Sequence, residues 1–206
     1  MENRGLLYFA GYSEEIKSLV KQGQEKAENE IEALNDAPCE EISFVSDMDD
    51  AKWDYNPTQG KNSAFRHNSR QDRINKQKGD LAENKVLQKL KDMGFEADKI
   101  SGGSWAADSG EMYHADIKYR RKGDPNYRYL EVKYSTSNSF HLSAAEWKTA
   151  TDEKYRDIYD LAIFDGKKPV IIKKLYHYLD SKRMVFNPSE YIVCFGNIST
   201  VDEDNP

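Results

Sequence analysis

Apolar residues recur at helical spacing over residues 13–35, SEEIKSLVKQGQEKAENEIEALN. Ile16, Leu19, Val20, Ala27, Ile31 and Leu34 are separated there by charged residues, which predicts an amphipathic helix. From 36 to about 78 the periodicity dissolves into DAPCEE, SDMDD, NPTQG and a polar, basic stretch. A linker is expected there, with at most one short helix around Trp53. The pattern resumes at Gly79, where GDLAENKVLQKLKDMGF sets Glu83, Val86, Leu87 and Leu90 on one helical stripe that ends at Gly94. Strand-like runs follow at FEADKISG (95–102), MYHADIKYR (112–120) and YRYLEVKYS (127–135), then a helix over LSAAEWKTATDEK (142–154). DIYDLAIFD (157–165) and PVIIKKLY (169–176) are apolar and β-branched and read as further strands, with YIVCFG (191–196) as an edge strand. The order helix, three strands, helix, strands predicts an α/β fold: a small mixed sheet flanked by helices, behind an N-terminal helical extension.

Composition narrows the class. A chain of 206 residues and 23.8 kDa holds one domain plus an extension. Its mean hydropathy of −0.88 and the absence of any run near 20 apolar residues argue against a membrane partner. The N-terminal MENRGLLYFAGYSEE lacks the basic start and sustained apolar stretch of a signal peptide, and Cys39 and Cys194 form no CxxC pair. A reduced, cytoplasmic protein is expected.

The net charge of −6 hides an uneven distribution. Residues 1–60 hold five Lys/Arg against fourteen Asp/Glu, whereas residues 61–78 hold six Lys/Arg against one Asp. This divides the chain into an acidic helical extension (1–60), a basic linker (61–78), a compact domain (79–200) and an acidic tail (201–206). The basic segment reads either as a solvated linker or as a phosphate-contacting arm through Lys61, Arg66, Arg70, Arg73, Lys76 and Lys78. The helix at 13–35 could serve a protein partner or self-association.

The chemistry concentrates in YLEVKYS. An acid two residues before a lysine occurs nine times in the chain, and only context discriminates. Glu131 with Lys133, and Asp116 with Lys118, lie in strand-like runs joined by the turn-rich RRKGDPN. A hairpin symmetric about Gly123 and Asp124 places Asp116 opposite Glu131, His114 opposite Lys133 and Lys118 opposite Tyr129, all on one face. Ala115, Ile117, Tyr119, Leu130, Val132 and Tyr134 then share the other, apolar face. Two carboxylates so placed repel each other and invite a cation; Mg²⁺ takes one or two carboxylates plus waters and phosphate oxygens. Lys133 would reach a scissile phosphate or the attacking water. An ordinary solvated strand face is the alternative. Glu83 reads equally as the end of a capping box begun by Asp80 or as a third site carboxylate.

The series Gly79-x-x-x-Glu83, His-Ala-Asp116-Ile, Leu-Glu131-Val-Lys133 and Phe140-x-Leu142-Ser143-x-x-Glu146-Trp147 resembles the domain found at the C-terminus of the plant protein NO VEIN and in many bacterial proteins. That domain is similar to the PD-(D/E)XK, restriction-endonuclease-like superfamily. The resemblance spans about residues 75–180. It implies a restriction-endonuclease-like α/β sandwich and Mg²⁺-dependent (alternatively Mn²⁺-dependent) cleavage of nucleic acid, DNA ahead of RNA, in DNA processing or defence against foreign DNA. It also implies Asp116 and Glu131 as metal ligands, Lys133 as catalytic lysine, Glu83 as the helix acid and Glu146 as an accessory residue. Ala115 stands where the superfamily motif nominally has proline. A non-catalytic nucleic-acid-binding module using Lys118, Lys133 and the basic segment, and a regulatory interaction subunit, are the competing classes.

Overall fold

The computed structural model describes residues 14–46, 51–54, 69–100, 114–136, 139–179, 184–187, 192–195 and 197–200. Lys61, Arg66 and the acidic tail at 201–206 lie outside these residues. Among the described residues no helix is long and apolar enough to cross a membrane.

The predicted amphipathic helix is α1, Glu14–Asp36. Among its described residues, the linker expected from 36 to 78 contains regular structure. Ile42 and Val45 are buried, and strand β1, Ser43–Val45, pairs in parallel with β8, Pro169–Ile172. Three residues are too few to show a period, so nothing local announced this strand. The segment around Trp53 forms a strand, β2 (Ala51–Asp54), not a helix; it pairs with β11, Asn197–Thr200. Helix α2 runs Ser69–Asp92, ten residues earlier than the stripe beginning at Gly79 suggested. Its basic first half contains good helix formers, no proline, and Asp72 in the first turn against the helix dipole. Gly79 sits in mid-helix, and a Cβ there would meet nothing within 4 Å. The Asp80–Glu83 capping box therefore does not form, because both residues lie inside the helix.

The main sheet has six strands in the order β1-β8-β7-β5-β4-β3. Strands β3 (Phe95–Lys99), β4 (Ile117–Arg121) and β5 (Arg128–Tyr134) form an antiparallel meander, and β7 (Tyr159–Phe164) lies parallel to β5. A parallel pair needs a crossover. Residues 135–158 supply it, carrying β6 (Ser139–His141) and helix α3 (Ala144–Thr151). Helix α4 (Leu175–Leu179) follows β8. The expected edge strand at 191–196 is instead the central strand of a second sheet, in which β10 (Ile192–Phe195) lies between β6 and β9 (Met184–Asn187).

Alternation along the strands sorts the core into two layers. On one face Ala82, Val86 and Leu90 of α2, together with Leu34 of α1, meet Ala97, Ile117, Tyr119, Leu130, Val132, Ala162 and Phe164. On the other, Ala150 of α3 and Leu175 and Tyr178 of α4 meet Tyr159, Leu161, Ile163 and Ile172. Strand β7 is buried along its whole length because both layers cover it. The α/β architecture expected from the sequence, a mixed sheet between helices, is the one observed.

Asp160, fully buried at 0% exposure, ties the central strands together. Its Oδ1 accepts from Arg128 Nη2 at 2.6 Å and from the Lys174 N–H at 2.8 Å. Its Oδ2 accepts from Arg128 Nε at 2.6 Å and from the Tyr119 hydroxyl at 2.7 Å. Removing one partner of such a buried pair leaves an uncompensated charge. Asp160→Ala should lower stability by about 3–5 kcal/mol in denaturant unfolding, whereas Asp157→Ala, which loses only an exposed contact to His177, should change it little. Equal effects of the two would contradict this assignment.

Candidate active site

Glu131 and Lys133 stand at alternate positions of β5 and face the α3 side of the sheet, in register with Leu161 and Ile163 of β7. Glu131 is only 4% exposed. Lys133 Nζ lies 2.6 Å from Glu131 Oε1 and 2.8 Å from Glu146 Oε2, so one ammonium is clasped by two carboxylates. Glu146 comes from the first turn of α3, where a capping box fixes it. Ser143 Oγ accepts the Glu146 N–H at 3.2 Å, and Glu146 Oε2 accepts the Ser143 N–H at 2.9 Å. The Ser-x-x-Glu spacing thus starts the helix and also delivers a carboxylate to Lys133.

The hairpin register is the expected one, with Ile117 opposite Leu130, Lys118 opposite Tyr129 and Tyr119 opposite Arg128. It stops at Ile117. His114 adopts a φ of 39°, in the left-handed region, and the chain bends at Asp116. His114 consequently does not pair with Lys133, and Ala115 joins the opposite core layer from Ile117, contrary to simple alternation. Asp116 is not a ladder partner of Glu131. Its N–H donates to the Leu130 carbonyl at 3.0 Å, and its Oδ2 accepts the Val132 N–H at 2.8 Å. In a regular ladder of this register a backbone carbonyl would take that N–H; here a carboxylate takes it. Tyr159, which no motif or spacing singles out, donates its hydroxyl to the His114 carbonyl at 2.7 Å and braces the bend.

Glu83, Asp116, Glu131, Lys133 and Glu146 line a cavity of about 600 Å³, with Lys78 of α2 on its wall. Glu83 also pairs with Lys99 at 2.7 Å. The other nucleic-acid candidates are placed differently. Arg73 and Lys76 are exposed on α2, and Arg70 lies in its first turn. Lys78 Nζ bonds Glu30 Oε2 at 2.8 Å. Lys118 lies on the outer strands, 3.7 Å from the cross-strand Asp98 and over the Tyr127 ring, away from the cavity lining.

The electrostatics are those of a site short of positive charge. Burial, then the nearby Glu83 carboxylate, pushes the Asp116 carboxyl up to about 6 from 3.8, although the Val132 N–H and Lys133 oppose this. Burial likewise pushes Glu131 well up, with Lys133 pulling it back and Asp116 and Glu146 adding to the rise. For Lys133 burial acts downward, but Glu131 and Glu146 outweigh it and hold the ammonium above its ordinary value. Among the described residues no cluster of three or more Asp, Glu, His or Cys could hold a metal ion by itself. The two carboxylates Asp116 and Glu131 nevertheless have the chemistry that Mg²⁺ uses when water and phosphate oxygens complete its shell.

Residues 80–172 match the family model described as protein NO VEIN, C-terminal. That stretch contains Glu83, Asp116, Glu131, Lys133 and Glu146, and the resemblance seen in the motifs is present at the level of the family. Among solved structures the chain is similar to Hjc, a Holliday junction resolvase from Archaeoglobus fulgidus. The identity is 17% and the TM-score 0.37, over 54% of this chain and 83% of that one. A comparison with curated proteins gives no match.

A carboxyl with a folded-state pKa above its unfolded value binds its proton more tightly when folded. Its contribution is most favourable below the unfolded value and is lost as pH rises through the window from 3.8 to about 6. Asp116→Asn keeps an acceptor for the Val132 N–H and removes the charge. In metal-free buffer at pH 7 the variant should be more stable than wild type by roughly 1–3 kcal/mol, with the gap closing towards pH 4. Thermal melts across that range check this; a gap independent of pH would contradict it.

Proposed function

We propose that the chain is a divalent-metal-dependent nuclease that hydrolyses phosphodiester bonds of DNA, in DNA processing or in defence against foreign DNA. One observation carries the reading: a partly buried lysine clasped by two carboxylates, beside a third carboxylate of raised pKa, on the wall of an open cavity. Perturbed titratable groups gathered in a cleft are typical of catalytic sites. A structural ion pair has no need of the extra carboxylates.

In this reading Asp116 and Glu131 would hold Mg²⁺ or Mn²⁺. When bound, such an ion polarises the phosphoryl group and lowers the pKa of attacking water. Lys133 supplies fixed positive charge where the pentacovalent phosphorus gains negative charge, and burial makes that charge act more strongly than it would in water. Glu146 orients the ammonium from the side opposite the strand. Glu83, paired with Lys99, stands as an outer carboxylate that raises the proton affinity of Asp116. The Val132 N–H fixes Asp116, so both ligand carboxylates are set by the backbone of β5.

Cleavage of labelled single- and double-stranded DNA and RNA, with Mg²⁺ or Mn²⁺, tests the reading. Wild type should cut DNA, and Lys133→Met and Glu131→Gln should each lower the rate at least about 100-fold at unchanged folded content. Nucleic acid bound without metal and left uncut by every form would replace the nuclease with a binding module.

A further inference from the structure

Lys78 lines the cavity on its α2 wall, yet its ammonium is engaged from outside the cavity. Its Nζ lies 2.8 Å from Glu30 Oε2 of α1 and 5.8 Å from the centre of the Tyr134 ring, and Tyr134 lines the same cavity. The Lys78 side chain is largely buried at 16% exposure, while Glu30 is half exposed at 49%. The lysine is thus the more buried partner of the pair, and the glutamate stands on its solvent side.

The same face of α2 carries a second lysine seven residues on, with a different task. Lys85 Nζ donates to the Asn35 and Ala37 carbonyls at 3.0 and 2.7 Å, capping the end of α1, and Leu34 is buried beside it. The C-terminal part of α1 is therefore docked, and Glu30 sits one turn before the anchor. α1 as a whole is acidic, with seven Asp/Glu against three Lys. Its docked end brings a carboxylate to the one lysine of this pair that also reaches the cavity.

We propose that Lys78 is a phosphate subsite for the nucleic-acid backbone and that Glu30 is its resident counter-ion, which the substrate must displace. This rests on the nuclease reading of the cavity. A half-exposed ion pair contributes little on its own, and a phosphate oxygen is a carboxylate-like partner of equal charge that can take over the ammonium. The acidic helix then acts as an internal competitor that weakens binding of any strand that must fill the subsite. Salt opposes both the internal pair and the substrate contact.

The test is binding of fluorescein-labelled single- and double-stranded DNA, read by anisotropy in Ca²⁺ without turnover, for the full chain. Glu30→Gln should tighten binding about two- to fivefold, and Lys78→Ala should weaken it and reduce the salt slope by about one. The decisive form is the double variant: in the Lys78→Ala background, Glu30→Gln should have no effect. If Glu30→Gln leaves the affinity unchanged, or tightens it equally without Lys78, the subsite is wrong and the glutamate acts only through general charge. Wild type that binds and cuts while Glu30→Gln is silent overturns this inference alone. Wild type that neither binds nor cuts overturns the nuclease reading along with it.

Discussion

The carboxylate of Asp160 is the constraint around which the sheet is organised. A charge buried in a low-dielectric interior is tolerated only when its lone pairs are filled, and here β4, β5 and the chain after β8 each contribute a donor. Arg128 opens β5, so its two bonds to Asp160 pin that strand against β7 from its first residue. A slip of one residue would break those bonds and turn Glu131 and Lys133 into the apolar layer under α2. The position of the chemical face is thus set at the opposite end of the strand, by residues that take no part in it.

At the cavity end the logic reverses. Asp160 is matched by donors, whereas Asp116 and Glu131 share Lys133 with Glu146 and keep a raised proton affinity. A fold selected only for stability would remove that imbalance with an apolar residue. Keeping it costs stability, and in the proposed reading it is what would make the site receptive to a cation. The bend at His114 has its own support, since a left-handed non-glycine residue persists only where neighbours such as Tyr159 hold it.

Much of this was legible in the chain. Alternation in YRYLEVKYS placed Glu131 and Lys133 on one face and Leu130 and Val132 on the other, and the turn residues at Gly123 and Asp124 set the register. Both are local signals. The bend at Asp116 was not legible, because it arises from a tertiary bond between a side chain and the Val132 N–H. Gly79 was misleading as a helix start: glycine lowers helix propensity without forbidding a helix, and the basic stretch before it has helix-forming composition but no apolar stripe to advertise it. β1 escaped notice because its burial depends on a partner far along the chain. Glu146 was visible as part of a Ser-x-x-Glu spacing, though the spacing alone does not reveal the lysine it meets.

That distant partnership bears on how the molecule is made. β1 leaves the ribosome well before β8, and Ser43, Phe44 and Val45 pair with Val170, Ile171 and Ile172. Most of the domain must be synthesised before the strand finds its neighbour. Contacts this remote in sequence slow folding, and until β8 arrives the apolar Ile42 and Val45 stay open to other partners. The acidic α1 just before them adds like charge to the same stretch, and like charge on neighbouring chains opposes their association.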